Sequence, residues 1–146
     1  MSDAPLSDHQ QIVNITHDYC WALDGRQWGD LDNVFLPNAT AQLGHHSCKD
    51  RDEIKAVVDR ALSKLDASQH IVATHQITID ADTATSRCYL HAQHVRHAAE
   101  GGPHFIVAGT YSDTLTRTPD GWRIAHRDLT IIWREGNVRV VRPDGD

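Results

Sequence analysis

The chain has 146 residues, 40% of them apolar and 23% charged, which is enough for one soluble domain with a hydrophobic core. A formal charge of −6 argues against nucleic-acid binding, which needs a basic surface. No apolar run approaches the roughly 18–20 residues that span a bilayer, so no membrane segment is expected. The start, MSDAPLSDHQ, lacks a signal peptide's basic and apolar regions, and Cys20, Cys48 and Cys88 are widely spaced; both point to a reduced, cytoplasmic protein.

In chain order, residues 1–6 read as a flexible lead. Ser7 and Gln10 form a capping-box signature, and Ile12, Ile15, Thr16, Tyr19, Cys20 and Leu23 follow at helical spacing. A first helix is predicted over about 8–24, ended by Gly25. Asp24 then lies at the negative end of that helix, where a carboxylate is disfavoured. QWGDLDNVF suggests a second helix with Trp28, Leu31, Val34 and Phe35 on one face, stopped by Pro37-Asn38. ATAQLGHHS is a short strand, and CKDRDEIKAVVDRALSKL a third helix.

After residue 68 the period becomes two. HIVATHQITI, TATSRCYLHAQHVRH, HFIVAGTYSDTLTRT and WRIAHRDLTIIWR are separated by the turn signals DADT, EGGP and TPDG. They predict a four-stranded antiparallel meander. The fold class is α+β: three N-terminal helices packed on one face of a strongly curved, mainly antiparallel sheet. One domain covers residues 1–146, with residues 136–146 reading as a fraying tail.

Some polar residues sit on apolar parities. His94 continues the series Cys88, Leu90, Ala92. Arg127 sits among Ala125, Leu129, Ile131 and Trp133, where a guanidinium is costly unless paired. Taken alone, each is explained at least as well by a satisfied core position. In the first long strand, Ile71, Ala73, His75, Ile77 and Ile79 share the apolar parity. Alternation therefore favours His75 as the inward histidine, yet a bulge near the strand start would turn His70 inward. Tyr19 and Asp24 are about 140° apart around an ideal helix, so they converge only if the helix end swings.

The segments YCWALDGRQWGDLDNVF, QHIVATHQITID and GTYSDTLTRTPDGWRIAHR resemble the SnoaL-like branch of the nuclear transport factor 2-like (cystatin-like cone) superfamily. The likeness is to its scytalone dehydratase, bile acid 7α-dehydratase and hexachlorocyclohexane dehydrochlorinase group. It covers about residues 8–135. By position it implies an acid–base dyad of Asp24 and His70, with Tyr19, His94 and Arg127 as polar catalytic partners. The implied activity is a cofactor-independent lyase, by dehydration or other β-elimination, or an isomerase. The ligand would be small, hydrophobic and cyclic, steroid-like or polyketide-like, and the assembly a homo-oligomer, a trimer ahead of a dimer. The alternative is a non-catalytic ligand-binding module, or the small subunit of a ring-hydroxylating dioxygenase-type complex.

The histidines raise the question of a metal. His91 and His97 share a strand face from which His94 points away, and His45 and His46 are opposed if extended. No His-Glu-x-x-His or facial triad is present, so neither a metal nor a cofactor is expected.

Overall fold

A computed structural model describes residues 4–143. In order, its elements are α1 (Asp8–Asp24), a 3-10 turn (Trp28–Asn33), β1 (Phe35–Leu43), β2 (His46–Cys48), α2 (Arg51–Leu62), β3 (Ala67–Asp80), β4 (Thr83–Val95), β5 (His104–Thr118), β6 (Gly121–Gly136) and a closing 3-10 turn (Val138–Val140). The sheet order is β2-β1-β6-β5-β4-β3. Strands β3 to β6 form the antiparallel meander, and β1 runs parallel to β6. The fold is α+β: three helical segments, the middle one a 3-10 turn, pack on a curved, unclosed sheet.

Local chemistry sets the helix ends. Ser7 accepts from the Gln10 backbone while the Gln10 side chain accepts from the Ser7 backbone, so the capping box is complete. At the other end Gln27 N–H donates to Ala22 O and Arg26 N–H to Leu23 O, a Schellman arrangement. Its left-handed residue is Arg26, at φ 53°, and Gly25 stays right-handed. The Arg26 side chain donates to the Leu62 and Leu65 carbonyls, placing a cation at the negative end of α2.

Two expectations change here. Trp28–Asn33 is a 3-10 turn, and Phe35 already belongs to β1, which runs on through Pro37. The β1–β6 register slips between Phe35 and Thr40, so the proline, which has no N–H, falls in the irregular stretch. The tail that the sequence reads as fraying carries a 3-10 turn whose Val140 is buried.

Bulges decide which side chains reach the interior. In β3 the register shifts between Ala73 and Gln76, and Thr74 adopts φ 62°. Before the bulge Ser68, His70 and Val72 are the less exposed residues; after it His75 and Ile77 are. Ile71, placed inside by strict alternation, is exposed. In β6 the register shifts near Ile124–His126 and again near Ile131–Trp133. Trp122 and Ile124 are therefore buried on one parity and Arg127 on the other, while Ile131 and Trp133 are exposed rather than buried. Gly109 sits at the second of these shifts, where a Cβ would lie 2.1 Å from Thr130 O.

Candidate functional site

The buried face of α1 carries Ile12, Ile15, Tyr19, Ala22 and Leu23 against the sheet. Its last residue, Asp24, meets the start of β3. Asp24 Oδ1 lies 2.6 Å from His70 Nδ1, and Oδ2 accepts from the His70 backbone N–H at 2.9 Å. Ser68, two residues earlier on the same strand face, donates its hydroxyl to Asp24 Oδ1 at 2.9 Å. Burial pushes the Asp24 carboxyl up, but the bonds from His70 and Ser68 outweigh it and hold the group below its ordinary value. The His70 and Asp24 side chains are 5% and 20% exposed, so the pair lies at an edge of the packed interior. His70 Nε2 makes no hydrogen bond among the described residues.

His94 stands beside this pair, its ring edge-to-face with His70 at 5.7 Å between centroids. Its Nδ1 is 3.1 Å from Phe105 O. Burial first, then the neighbouring His70, push its pKa down to about 4, so the ring is neutral at pH 7.

Arg127 occupies a different environment. Its Nε and Nη2 donate to the two Asp113 carboxylate oxygens at 2.7 and 2.8 Å, and both side chains are fully buried. The guanidinium is 4.4 Å from the Tyr19 ring centroid and 3.9 Å from that of Tyr111. Nη1 is buried without a partner. Tyr19 also packs edge-on to Phe35 and Tyr111. Its hydroxyl pKa is raised by burial, against the Arg127 charge.

The five sequence-predicted residues thus fall into two groups. Asp24, His70 and His94 adjoin one another at the edge. Tyr19 and Arg127 lie in the closed core. The expectation of Arg127 as a polar catalytic partner is revised, because Asp113 already holds two of its nitrogens and its side chain is fully buried. His75 also faces inward, 2.8 Å from Thr16 Oγ1, so both histidines of β3 share a side. Sequence reasoning missed Ser68 and Asp113. Asp113 had a signal, since it sits between Tyr111 and Leu115 on a buried parity. Ser68 had none, because the strand was read as starting later.

Comparison with known proteins fits this architecture. The uncharacterized protein Rv2910c of Mycobacterium tuberculosis is 31% identical over 139 residues, which cover 92% of each chain. Among solved structures, a candidate scytalone dehydratase from Novosphingobium aromaticivorans superposes with TM-score 0.80 at 22% identity, over 95% of this chain and 94% of that one. A type 2 hexachlorocyclohexane dehydrochlorinase, LinA, superposes with TM-score 0.78 at 15% identity, over 87% and 86%. At these identities the structures share the fold with this chain. The family model described as a SnoaL-like domain matches residues 4–128, and the chain belongs to that family.

Proposed function

We propose that the protein is a cofactor-independent lyase or isomerase of small hydrophobic cyclic substrates, with Asp24 and His70 as its acid–base pair. The observation that carries this reading is the 2.6 Å Asp24–His70 contact combined with an imidazole Nε2 that no described residue occupies. An ionised Asp24 fixes the proton of neutral His70 on Nδ1 and leaves the lone pair on Nε2. That nitrogen removes a proton from a carbon beside a carbonyl or leaving group. The imidazolium so formed faces Asp24 and the negative end of α1, both of which stabilise it. The asymmetry noted in the sequence, a carboxylate at a helix C-terminus, then has a chemical use. From the carbanionic intermediate, expulsion of a β-substituent gives elimination, and return of the proton to another carbon gives isomerisation. The names of the two structural neighbours, a dehydratase and a dehydrochlorinase, belong to eliminating enzymes and support the same reading.

The test is turnover of cyclic β-hydroxy ketones and halogenated cycloalkanes by wild type and His70→Ala. The expected loss is about 10²–10⁴-fold, the usual worth of a positioned acid–base group. A substrate turned over equally well by the variant would remove His70 as the base.

A further inference from the structure

His94 is 6% exposed and takes no part in the Asp24–His70 hydrogen bonds. Its geometry nevertheless fixes what it can do. Nδ1 faces a backbone carbonyl, Phe105 O, at 3.1 Å. A carbonyl has no proton to give, so Nδ1 carries the hydrogen and Nε2 carries a lone pair. Among the described residues nothing hydrogen-bonds to that Nε2. His70, edge-to-face 5.7 Å away between centroids, has its own Nδ1 turned to Asp24 and is fixed in the same way. Two neighbouring rings therefore each present a bare acceptor nitrogen, and neither presents a donor. A halide, ether or carbonyl oxygen that covers His94 Nε2 and shuts water out leaves that acceptor unpaired; a hydroxyl satisfies it.

We infer that His94 is a specificity residue, its Nε2 accepting the hydrogen of a substrate hydroxyl, so that the site selects hydroxylated ring compounds over halogenated or etherified ones. The inference rests on the reading of Asp24 and His70 as the acid–base pair. A hydroxyl that donates to His94 has its rotation fixed, with its lone pairs turned away from His94 and free to face His70. The dehydration then balances within the substrate and one imidazole. His70 Nε2 takes the proton from the carbon next to the carbonyl, and the C–H electron pair forms the enolate. That pair then becomes the carbon–carbon double bond as the C–O bond breaks, and the departing oxygen takes the proton back from His70. The products are the enone and water, and His94 ends as it began.

The test uses full-length protein labelled with 15N at histidine, with 3-hydroxycyclohexanone and its 3-methoxy ether as probes. At pH 7 the His94 Nδ1 resonance is expected to be of the protonated type and Nε2 of the bare type. The hydroxy ketone should shift Nε2 and bind roughly tenfold more tightly than the ether, the worth of one hydrogen bond. His94→Leu should erase that preference, and His94→Gln, which keeps an acceptor, should retain part of it. A protonated Nε2 in the free protein, no response of Nε2 to the hydroxy ketone, or equal binding of the two probes overturns the inference. The wild-type resonances decide it even if a variant fails to fold. The two readings fail separately. The expected shifts with no formation of cyclohexenone would defeat the acid–base reading and leave the acceptor assignment standing. His70-dependent turnover with equal binding of both probes would do the reverse.

Discussion

Two polar pairs built around a carboxylate, Asp113 with Arg127 and Asp24 with His70, lie inside this fold, and they serve opposite purposes. Asp113–Arg127 is closed: two parallel hydrogen bonds, tyrosine rings packed on the guanidinium, no solvent, and a cation that does not titrate near neutrality. Asp24–His70 is open at one side, sets the carboxylate against an imidazole, and leaves one imidazole nitrogen unoccupied. A permanent buried charge organises packing. A titratable pair at an edge suits proton transfer. From sequence only Arg127 among them stood out as a polar residue on an apolar side; Asp24 was marked by its helix end, and Asp113 went unnoticed.

The largest effect expected from breaking this contrast is on stability. Asp113→Ala strands a buried guanidinium and should cost about 3–5 kcal/mol in urea unfolding. Replacing the pair together, Asp113→Leu with Arg127→Met, should restore most of that loss, since apolar residues of similar volume substitute for buried ion pairs at little net cost. If the double variant folds but loses turnover by more than about 100-fold, more than a lost packing contact would explain, then Arg127 takes part in the chemistry and the contrast collapses.

The open pair should respond in rate. Asp24→Asn removes the charge that stabilises the imidazolium, and turnover should fall by about 10²–10³-fold. A loss confined to stability, with turnover per folded molecule unchanged, would make Asp24–His70 a second structural pair.

His94 gives a pH signature of intermediate size. Its pKa falls from 6.5 to about 4 on folding, because burial and the adjacent His70 disfavour its cation. The unfolded chain therefore binds a proton that the folded chain refuses. Stability from this group is intact above pH 6.5 and drains away as pH falls toward 4. Between pH 7 and 4.5 the loss should be about 2 kcal/mol. His94→Leu should flatten the unfolding profile by that amount relative to wild type, and parallel profiles for the two proteins would place a charged or exposed ring at this position.

How much of this was legible depends on where the backbone departs from regularity. The capping box at Ser7, the helix α2 and the meander followed from period and turn chemistry. Phe35 did not: Trp28, Leu31, Val34 and Phe35 have helical spacing, and Pro37 looks like a stop until a slipped register accommodates it. The choice between His70 and His75 could not be made by alternation, because Thr74 in a left-handed conformation reverses the parity between them and turns both inward. Family resemblance reached the Asp24–His70 pairing by position alone. It also carried over Arg127 as a ligand-facing group, because nothing in it revealed that Asp113 closes on that side chain.

The smallest effect tests how tightly the open pair is positioned. Ser68 touches only Asp24 Oδ1 in the site, the same oxygen that faces His70 Nδ1. Removing its hydroxyl in Ser68→Ala deletes one hydrogen bond to the carboxylate, worth about 1 kcal/mol. With one donor fewer, Asp24 becomes the stronger acceptor for the imidazolium, so the proton on His70 is held more firmly. The acid limb of the pH–rate profile should therefore move upward, by up to about one pH unit, with a few-fold loss of rate near that limb and recovery at higher pH. Ser68→Thr keeps the hydroxyl and should restore the profile. A uniform loss at every pH would mean that Ser68 supports the fold of β3, whereas a shifted limb rescued by threonine would tie it to the charge on Asp24. The same substitutions should leave the Asp113–Arg127 pair untouched, since its guanidinium keeps its proton across the whole range.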